Sequence, residues 1–345
     1  EHASPDSDGL MVTPLIEEHR RLGARLGEFG GWEMPLWYSG ASQEHAAVRT
    51  SAGLFDIGHM GILEIAGPEA PDFLHAASTA DVSTIEVGRC RYTFLLDPGG
   101  LPIDDDIIYR LSRSRFLLVV NAANASKAGA WLTATISGQT PLDPDDPASA
   151  REFDASLRDV GATSAAEDRM TGMALQGPAS ADVLAELLDT PEIARGLARF
   201  ELAETSLLGS PSVISRTGYT GESVGFEVFV PVARASEVSR AILDAGESRG
   251  GLPAGLAARD SLRIEAGLPL YGHELAGPHE ITPLGAGYER FVDFGKELFV
   301  GREALLRREE GRRGEVVRFR MDRENARAIR AEDPVGSRRG LMVGR

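Results

Sequence analysis

The sequence predicts a layered fold of the α/β or α+β type, and three observations lead to this prediction. Strand-like and helix-like segments alternate along the chain. A Gly-Pro break between a strand and a helix occurs at Gly67-Pro68 and again at Gly177-Pro178. A second landmark, a strand followed by an Ala-Ser helix start, also occurs twice. Alternating elements are typical of packed layers of sheet and helix, and a fixed offset indicates an internal repeat.

The Gly-Pro landmark defines two equivalent strand-to-helix turns. In the first copy, a strand ends at residues 65–66 and a helix is predicted over 69–77. In the second copy, a strand ends at 175–176 and a helix is predicted over 179–188. Gly-Pro is a strong break signal, and proline suits the first turn of a helix. The two turns lie 110 positions apart, from Pro68 to Pro178.

The second landmark repeats at the same offset. A strand at 116–120 precedes a helix containing Ala125, and a strand at 226–230 precedes a helix containing Ala235. Further predicted strands lie between the landmarks, at 92–96, 107–111 and 213–216. The sequence therefore predicts two copies of a strand–helix–strands–helix unit.

The regions outside the repeat have patterns of their own. Apolar residues at helical spacing predict a helix from Pro14 towards Phe29. The Gly-, Pro- and aromatic-rich stretch 29–38 is expected to pack as a buried loop. An Asp/Pro/Ala-rich linker at 141–150 separates the halves. After Gly301 a further unit is expected, with a helix at 302–308 and a strand at 316–321.

Length and hydropathy limit the class of protein. A chain of 345 residues exceeds the size of one hydrophobic core, so two or three domains are expected. The apolar runs are far shorter than the ~20 residues that span a bilayer, which predicts no membrane partner. The first ten residues are acidic and polar and do not resemble a secretory signal. We expect a loose tail there, with Met11 as the natural start.

Charge and cysteine content exclude several functions. The formal net charge of −16 argues against a nucleic-acid partner, since phosphate binding needs clustered Lys and Arg. A few local arginines could still hold a small anion, but the arginine-rich stretch 302–345 is interpreted as a solvated face. The single cysteine, Cys90, excludes an internal disulfide and favours a reducing cytoplasm. Histidine spacing indicates no metal site, and no phosphate-binding glycine loop occurs.

Three adjacent carboxylates, Asp104, Asp105 and Asp106, precede a predicted strand that begins at Ile107. Side-chain alternation would place Asp105 on one face and its two neighbours on the other. The run is compatible with a solvated acidic turn. It is also compatible with a partly buried carboxylate of perturbed pKa that is aimed at a cationic or amine-bearing ligand.

The stretch 216–222 is a glycine-rich loop between two strands. Its glycines are sufficient to make a hairpin loop. Alternatively, they let a flat heterocycle approach the backbone, with Tyr219 stacking on the ring and Glu227 accepting its hydrogen bonds.

Two arginines and a His-Met pair are further candidates. Arg259 and Arg263 lie four residues apart on one face of a predicted helix. They could bind carboxylates of a ligand or pair with Asp260 and Glu265 at the surface. His59 follows an apolar stretch and is interpreted as a structural histidine, and a methionine such as Met60 is more often core than ligand contact.

Taken together, these segments resemble the aminomethyltransferase family, the T-proteins of the glycine cleavage system. The matching segments follow the family order from about residue 11 to 306: 13–15, 29–35, 52–61, 103–105, 119–124, 175–178, 216–222, 258–263 and 267–274.

The resemblance implies an α+β fold, a three-lobed cloverleaf around a central channel. Two repeated α/β units would form the first lobe, from 11–60 plus 61–140, and the second lobe, from 151–270. The third lobe, from 271–345, would be a C-terminal β-rich domain. Because family members continue for several dozen residues beyond the position of Arg345, we expect this lobe to be incomplete.

The resemblance also implies a reaction. The one-carbon unit of an aminomethyl group on the lipoyl arm of the H-protein would pass to tetrahydrofolate, with release of ammonia. By this resemblance Asp105, aligned by counting back from Tyr109, is the catalytic residue. The residues that would bind the folate are Met60, Asn121, Tyr219, Glu227 and Arg259.

Departures from the family pattern leave alternatives open. The loop before Glu227 is one residue longer than usual, and Gly58 stands where family members have serine. Another folate-dependent demethylase or methyltransferase on the same scaffold is one alternative. A non-enzymatic folate-binding factor is a second, but the cysteine motif of that relative is missing at 299–303.

Overall fold

A computed structural model describes residues 9–161, 164–165, 167–312, 314–319, 333, 335–336 and 342–344. The chain divides into a large unit, Glu1–Glu315, and a small unit, Val316–Arg345. The α-helices of the described residues are α1 (Ile16–Arg21), α2 (Ala41–Thr50), α3 (Ala70–Ala77), α4 (Ala125–Ile136), α5 (Ser180–Ala185), α6 (Glu192–Gly196), α7 (Ala235–Glu247), α8 (Leu256–Ala266) and α9 (Arg302–Glu310).

The strands of the described residues are β1 (Met11–Val12), β2 (Arg25–Phe29), β3 (Trp32–Trp37), β4 (Gly53–Asp56), β5 (Gly61–Ala66), β6 (Arg89–Leu96), β7 (Pro102–Arg110), β8 (Arg115–Val120), β9 (Ser156–Asp159), β10 (Met170–Gln176), β11 (Leu202–Leu207), β12 (Ser210–Ser215), β13 (Gly225–Pro231), β14 (Leu252–Pro253), β15 (Val335–Gly336) and β16 (Met342–Gly344). The large unit contains a five-stranded sheet of order β6-β7-β8-β5-β9 and a six-stranded sheet of order β11-β12-β13-β10-β4-β14. A third, small sheet has the order β1-β3-β2.

The two large sheets repeat one pattern of strand pairing. In the five-stranded sheet, β5 pairs antiparallel with β8, and Ile65 lies opposite Phe116. In the six-stranded sheet, β10 pairs antiparallel with β13, and Leu175 lies opposite Phe226. Both pairs differ by 110 positions, so the register is the same. The predicted mixed fold with two repeated units is confirmed, whereas the residue bounds of the predicted lobes stay a prediction.

The two halves exchange one strand each. Strand β4 leads into β5 along the chain but pairs with β10 of the other sheet, where Asp56 lies opposite Met173. Strand β9 leads into β10 but pairs with β5, where Asp159 lies opposite Leu63. Because each sheet contains a strand from the opposite half, the two sheets form one interlocked body.

Three hydrophobic layers follow from this arrangement. One cluster fills the space between the five-stranded sheet and helices α3 and α4, and another lies between the six-stranded sheet and helices α5 and α7. A third cluster combines residues of both sheets, such as Ile62, Tyr109 and Phe229, and so lies between them. Each fully buried side chain of this size contributes roughly 1.5–3 kcal/mol to folding.

The N-terminal segment differs from the sequence prediction. The predicted helix towards Phe29 is wrong beyond Arg21, because Gly23 has a left-handed φ of 72° that ends the helical path. Strand β2 follows. The predicted buried loop is also wrong, since β2 and β3 form a hairpin around Gly30 and Gly31, whose φ angles are 58° and 86°. Two positive φ angles at a two-residue turn are typical of a type I′ hairpin.

The region after α8 packs on the outer strand of the five-stranded sheet. Phe94 and Leu96 of β6 form a cluster with Tyr288, Phe299 and Leu305. The helix predicted after Gly301 is confirmed as α9.

The small unit does not contain all of the strand that was predicted over residues 316–321. Residues 316–319 are not in a strand, and residues 320–321 lie outside the described residues. No helix among the described residues is long and apolar enough to cross a membrane.

Candidate active site

Asp105 lies inside strand β7, so the prediction that the three aspartates precede the strand is wrong. Alternation along β7 places Asp105 on the face towards the layer between the sheets, while Asp104 and Asp106 are buried on the opposite face. The sequence did not indicate that the strand includes the aspartates, because three consecutive carboxylates are unusual inside a strand. The acidic turn is thereby excluded.

Two side chains hold the Asp105 carboxyl group. The Tyr92 hydroxyl donates to Oδ2 over 2.8 Å, and the Asn121 amide Nδ2 donates to Oδ1 over 2.9 Å. Burial and the neighbouring charge of Asp104 raise the pKa of Asp105 to about 8. A carboxyl group with a pKa near neutrality can both hold a proton and stabilise positive charge on a ligand.

Glu227 lies within β13, and the longer loop before it ends ahead of the strand. The Tyr109 hydroxyl and the Thr217 hydroxyl both donate to its Oε2, each over 2.5 Å. Its Oε1 accepts no hydrogen bond from any residue that the structure describes. One oxygen is therefore fixed by the protein, and the other can accept N–H bonds from a ligand.

Tyr219 and Arg259 form a stacked pair. The Arg259 guanidinium lies over the Tyr219 ring, 4.6 Å from its centroid, and the Tyr219 hydroxyl donates to the carbonyl of Pro269 over 2.5 Å. Burial lowers the pKa of Arg259, and the charge of Glu227 opposes this effect. Within the described part of the chain, the Arg259 guanidinium makes no hydrogen bond or ion pair. It is a partly buried cation with its five donors available to an anionic or carbonyl-bearing ligand.

Several of these residues lie close enough together for the charge of one to affect the pKa of another. The charges of Arg259 and Asp105 both act on the pKa of Tyr219, and burial is the larger cause of its rise. Asn121, at the end of β8, contacts Asp105 directly. Met60 packs on the cluster between the two sheets. These contacts and electrostatic effects connect the predicted site residues around the layer between the sheets.

Arg263 differs from Arg259 because its guanidinium group is engaged in ion pairs. It pairs with Asp260 over 2.8 Å and with Glu274 over 2.6 Å, and only 5% of its side chain is exposed. The bond to Glu274 fixes the loop after α8, because Glu274 also accepts from the backbone nitrogen of Leu270. The predicted ion pair of Arg263 with Asp260 is present. The second partner of Arg263 is Glu274 and not the predicted Glu265, which pairs with Arg49, and Arg263 is buried where a surface pair was expected.

His59 is buried, as its structural interpretation requires. Its ring contacts Phe29 edge-to-face at 5.8 Å, and burial lowers its pKa to about 4. Next to it, Gly58 leaves room for the Thr171 side chain. A Cβ atom at position 58 would lie 2.5 Å from the Thr171 hydroxyl oxygen. Thr171 thus fills the space that the family's serine side chain would need.

Sequence reasoning missed Tyr92 and assigned no role to the Tyr109 side chain. Tyr109 lies four residues after Asp105 on the same face of β7 and contacts Glu227. Tyr92 lies on β6, diagonal to Asp105 in the antiparallel pair. The alternation of side chains along a strand could have indicated that Tyr109 shares a face with Asp105. The position of Tyr92 becomes clear only when the pairing register of β6 and β7 is known.

The class of protein follows from comparisons with known proteins. Residues 15–296 match the family model described as the GCVT N-terminal domain. The chain is 44% identical to an aminomethyltransferase of Desulfitobacterium hafniense (strain Y51) over 87% of this chain and 76% of that protein. It is 41% identical to an aminomethyltransferase of Symbiobacterium thermophilum over 91% of this chain and 80% of that protein.

The fold agrees with this class. The crystal structure of the glycine cleavage system aminomethyltransferase T from Bartonella henselae superposes with a TM-score of 0.74 at 35% identity, over 89% of this chain and 76% of that one. The chain belongs to the aminomethyltransferase family, the transferases of the glycine cleavage system.

Proposed function

We propose that this aminomethyltransferase passes the one-carbon unit of an aminomethyl group, carried on the lipoyl arm of an H-protein, to tetrahydrofolate. The observation that carries this proposal is the position of Asp105, which Tyr92 and Asn121 hold close enough to Tyr219 for its charge to act on the pKa of that tyrosine. We place the enzyme in the cytoplasm, where a chain with Cys90 as its only cysteine keeps a reduced thiol.

The chemistry needs a carboxylate at this place. The C–N bond of the aminomethyl group breaks to release ammonia, and the C–S bond breaks to free the lipoyl thiol. Two bonds form between the same carbon atom and folate nitrogen atoms N5 and N10. The two protons that these nitrogen atoms lose pass to the leaving amine and to the lipoyl sulfur. Positive charge develops on the transferred carbon between these steps. A fixed carboxylate at Asp105 would stabilise that charge and orient the attacking nitrogen.

The remaining site residues fit a flat heterocycle with donors and acceptors at its edge. Glu227 offers a free Oε1 to the N–H groups of a pterin ring. Tyr219 offers an aromatic surface, and Arg259 offers unused donors for carbonyl or carboxylate oxygens. Asn121 is fixed by Asp104 and Asp105 and closes the site on the side of β8.

Purified protein can test this function directly. We expect equimolar ammonia and methylenetetrahydrofolate when the protein receives aminomethyl-loaded, lipoylated H-protein and tetrahydrofolate. Turnover of a methylamine, sulfonium or methoxy-aryl donor without activity on the H-protein would support a different folate-dependent transferase. Saturable folate binding without any transfer would support a binding factor. Either result contradicts the proposal.

A further inference from the structure

Asp106 is a buried carboxyl group whose environment does not support a charge. Only 1% of the residue is exposed, and neither carboxyl oxygen accepts a hydrogen bond from the residues that the structure describes. Across the strands it faces Thr93 of β6. The charged groups that act on it are Asp104 and Asp105, both of the same sign. An ionised carboxylate in such a place costs several kcal/mol unless it is paired, so Asp106 must hold a proton.

Asp104 lies beside Asp106 on the same face of β7, but its environment supports a charge. It is fully buried, yet its two oxygens accept three N–H bonds: from the Asn121 backbone nitrogen over 2.7 Å, from Asn121 Nδ2 over 2.9 Å and from Asn124 Nδ2 over 2.7 Å. Bonds from N–H groups favour the ionised form of a carboxyl group. Asp104 is therefore the member of the pair that carries the charge.

The two carboxyl groups are neighbours on one face of β7, because they lie two residues apart along the strand. Asp104 accepts three N–H bonds and Asp106 accepts none from the described residues, so a proton held by Asp106 has the Asp104 carboxylate as its neighbouring acceptor. Burial raises the pKa of Asp106, and the charge of Asp104 raises it further, in agreement with a proton on Asp106.

Asn121 connects this pair to the active site. Its backbone nitrogen and its Nδ2 are both held by Asp104, and the same Nδ2 donates to Oδ1 of Asp105 over 2.9 Å. We infer that Asp106 is a positioning residue, a neutral carboxylic acid whose proton keeps Asp104 ionised so that Asn121 is held against Asp105. This inference rests on the proposed function in taking Asp105 as the catalytic group.

Two substitutions separate this role from simple packing. In Asp106→Asn, the amide N–H replaces the acid proton as a donor to Asp104. In Asp106→Leu, a side chain of similar size offers no donor. We expect Asp106→Leu to lower kcat by roughly tenfold with KM nearly unchanged, the size of one lost hydrogen bond to a charged group. Asp106→Asn should restore most of this loss.

The pH dependence gives a second signature. When Asp106→Leu removes the donor at position 106, Asp104 takes up a proton more readily. Asp104 then repels the negative charge of Asp105 less strongly. The pKa of Asp105 then falls, and the acid limb of the kcat/KM profile moves to lower pH in Asp106→Leu, by on the order of one unit. In Asp106→Asn the limb should stay in place. An equal shift in both variants would mean that Asp106 is ionised in the native protein, which would overturn the inference.

The proton itself can be observed without any enzyme assay. Infrared spectra of Asp105→Asn at neutral pH should contain the C=O stretching band of a protonated carboxyl group. That band should be missing from the Asp105→Asn, Asp106→Asn double variant. Because this test is independent of turnover, it remains valid if the proposed transferase reaction fails or if Asp106→Leu does not fold. No difference between the two spectra would overturn the inference. A band together with unchanged kinetics in Asp106→Leu would overturn the positioning role.

Discussion

The Tyr92 hydroxyl donates a 2.8 Å hydrogen bond to Oδ2 of Asp105 from the neighbouring strand of the same sheet. The Tyr92 ring is itself fixed by edge contact with Phe291 at 4.7 Å and by Tyr288 at 5.9 Å. The position of the Asp105 carboxyl group therefore depends on residues from the region after α8. This couples the first repeated half to the C-terminal part of the large unit.

Tyr92→Phe should lower kcat/KM by roughly tenfold, because one hydrogen bond to a charged group is lost while the ring stays packed. The hydrogen bond from Tyr92 lowers the pKa of Asp105. The acid limb of the pH profile should therefore move to higher pH in this variant. Steady-state kinetics across pH measure both effects. Tyr38→Phe is a matched control, since the Tyr38 hydroxyl bonds to His19 and not to the site. Equal kinetic losses in both variants would show that Tyr92 acts only through packing.

The raised pKa of Asp105 predicts a specific pH dependence. With a pKa of about 8 in the free enzyme, the carboxyl group is largely protonated at pH 7. If the carboxylate is the active form, kcat/KM rises as the pH increases through about 8. A profile that is flat between pH 6 and 9 would contradict this role.

The same shift affects stability. An unfolded aspartate has a pKa of about 4, so between about pH 4 and 8 the folded state binds more protons than the unfolded state at this position. The contribution of Asp105 to stability therefore declines as the pH rises through this window. Asp105→Asn should remove this component from the pH dependence of denaturant unfolding.

Much of the fold could be predicted from the sequence, because the repeat has strong local signals. Gly67-Pro68 and Gly177-Pro178 mark the same turn in both halves, and hydrophobic strands follow at fixed distances. The exchange of β4 and β9 was missed. Both strands end in an Asp-x-Gly sequence, in which Asp56 and Asp159 each accept from the nitrogen two residues later. That short motif recurs at a different offset from the 110 positions of the other landmarks, so the repeat did not predict it.

The site was predicted in part, and the reason is physical. Asp105 and Glu227 were chosen by resemblance, and their roles remain proposals. The alternation of β7 does explain which of the three aspartates faces the site. No local sequence pattern could identify the hydrogen-bond donors of the Asp105 and Glu227 carboxyl groups. Tyr92 reaches Asp105, and Thr217 reaches Glu227, only through strand register and loop geometry.

Glu227→Gln should weaken tetrahydrofolate binding by roughly 10–100-fold, since a charge-assisted acceptor for ring N–H groups is replaced by an amide. Calorimetric titration with tetrahydrofolate and its 5-formyl analogue measures this change. Glu204→Gln is a suitable control, because Glu204 forms an exposed ion pair with Arg115. Unchanged affinity in Glu227→Gln would remove Glu227 from the proposed binding site.

Gly58→Ser should destabilise the protein by about 1–3 kcal/mol, the range for overpacking a buried position. The clash is with the Thr171 side chain, 2.5 Å from the added Cβ atom, and Asp56 lies 3.0 Å away. Thr171→Ala should relieve much of the cost, so that the double variant is more stable than the sum of the single changes predicts. Denaturant unfolding of all four proteins gives the coupling free energy. Strict additivity would show that the two positions do not compete for space.

The central claim is that Asp105 is the catalytic carboxylate, and a single-turnover assay of Asp105→Asn tests it most directly. The asparagine can still accept from Tyr92 and occupies nearly the same volume, so binding of tetrahydrofolate should persist. With aminomethyl-loaded H-protein in excess, we predict that formation of methylenetetrahydrofolate falls by at least about 100-fold, the scale of a lost electrostatic contribution at a reacting centre. Transfer at the wild-type rate by folded, folate-binding Asp105→Asn would contradict the account.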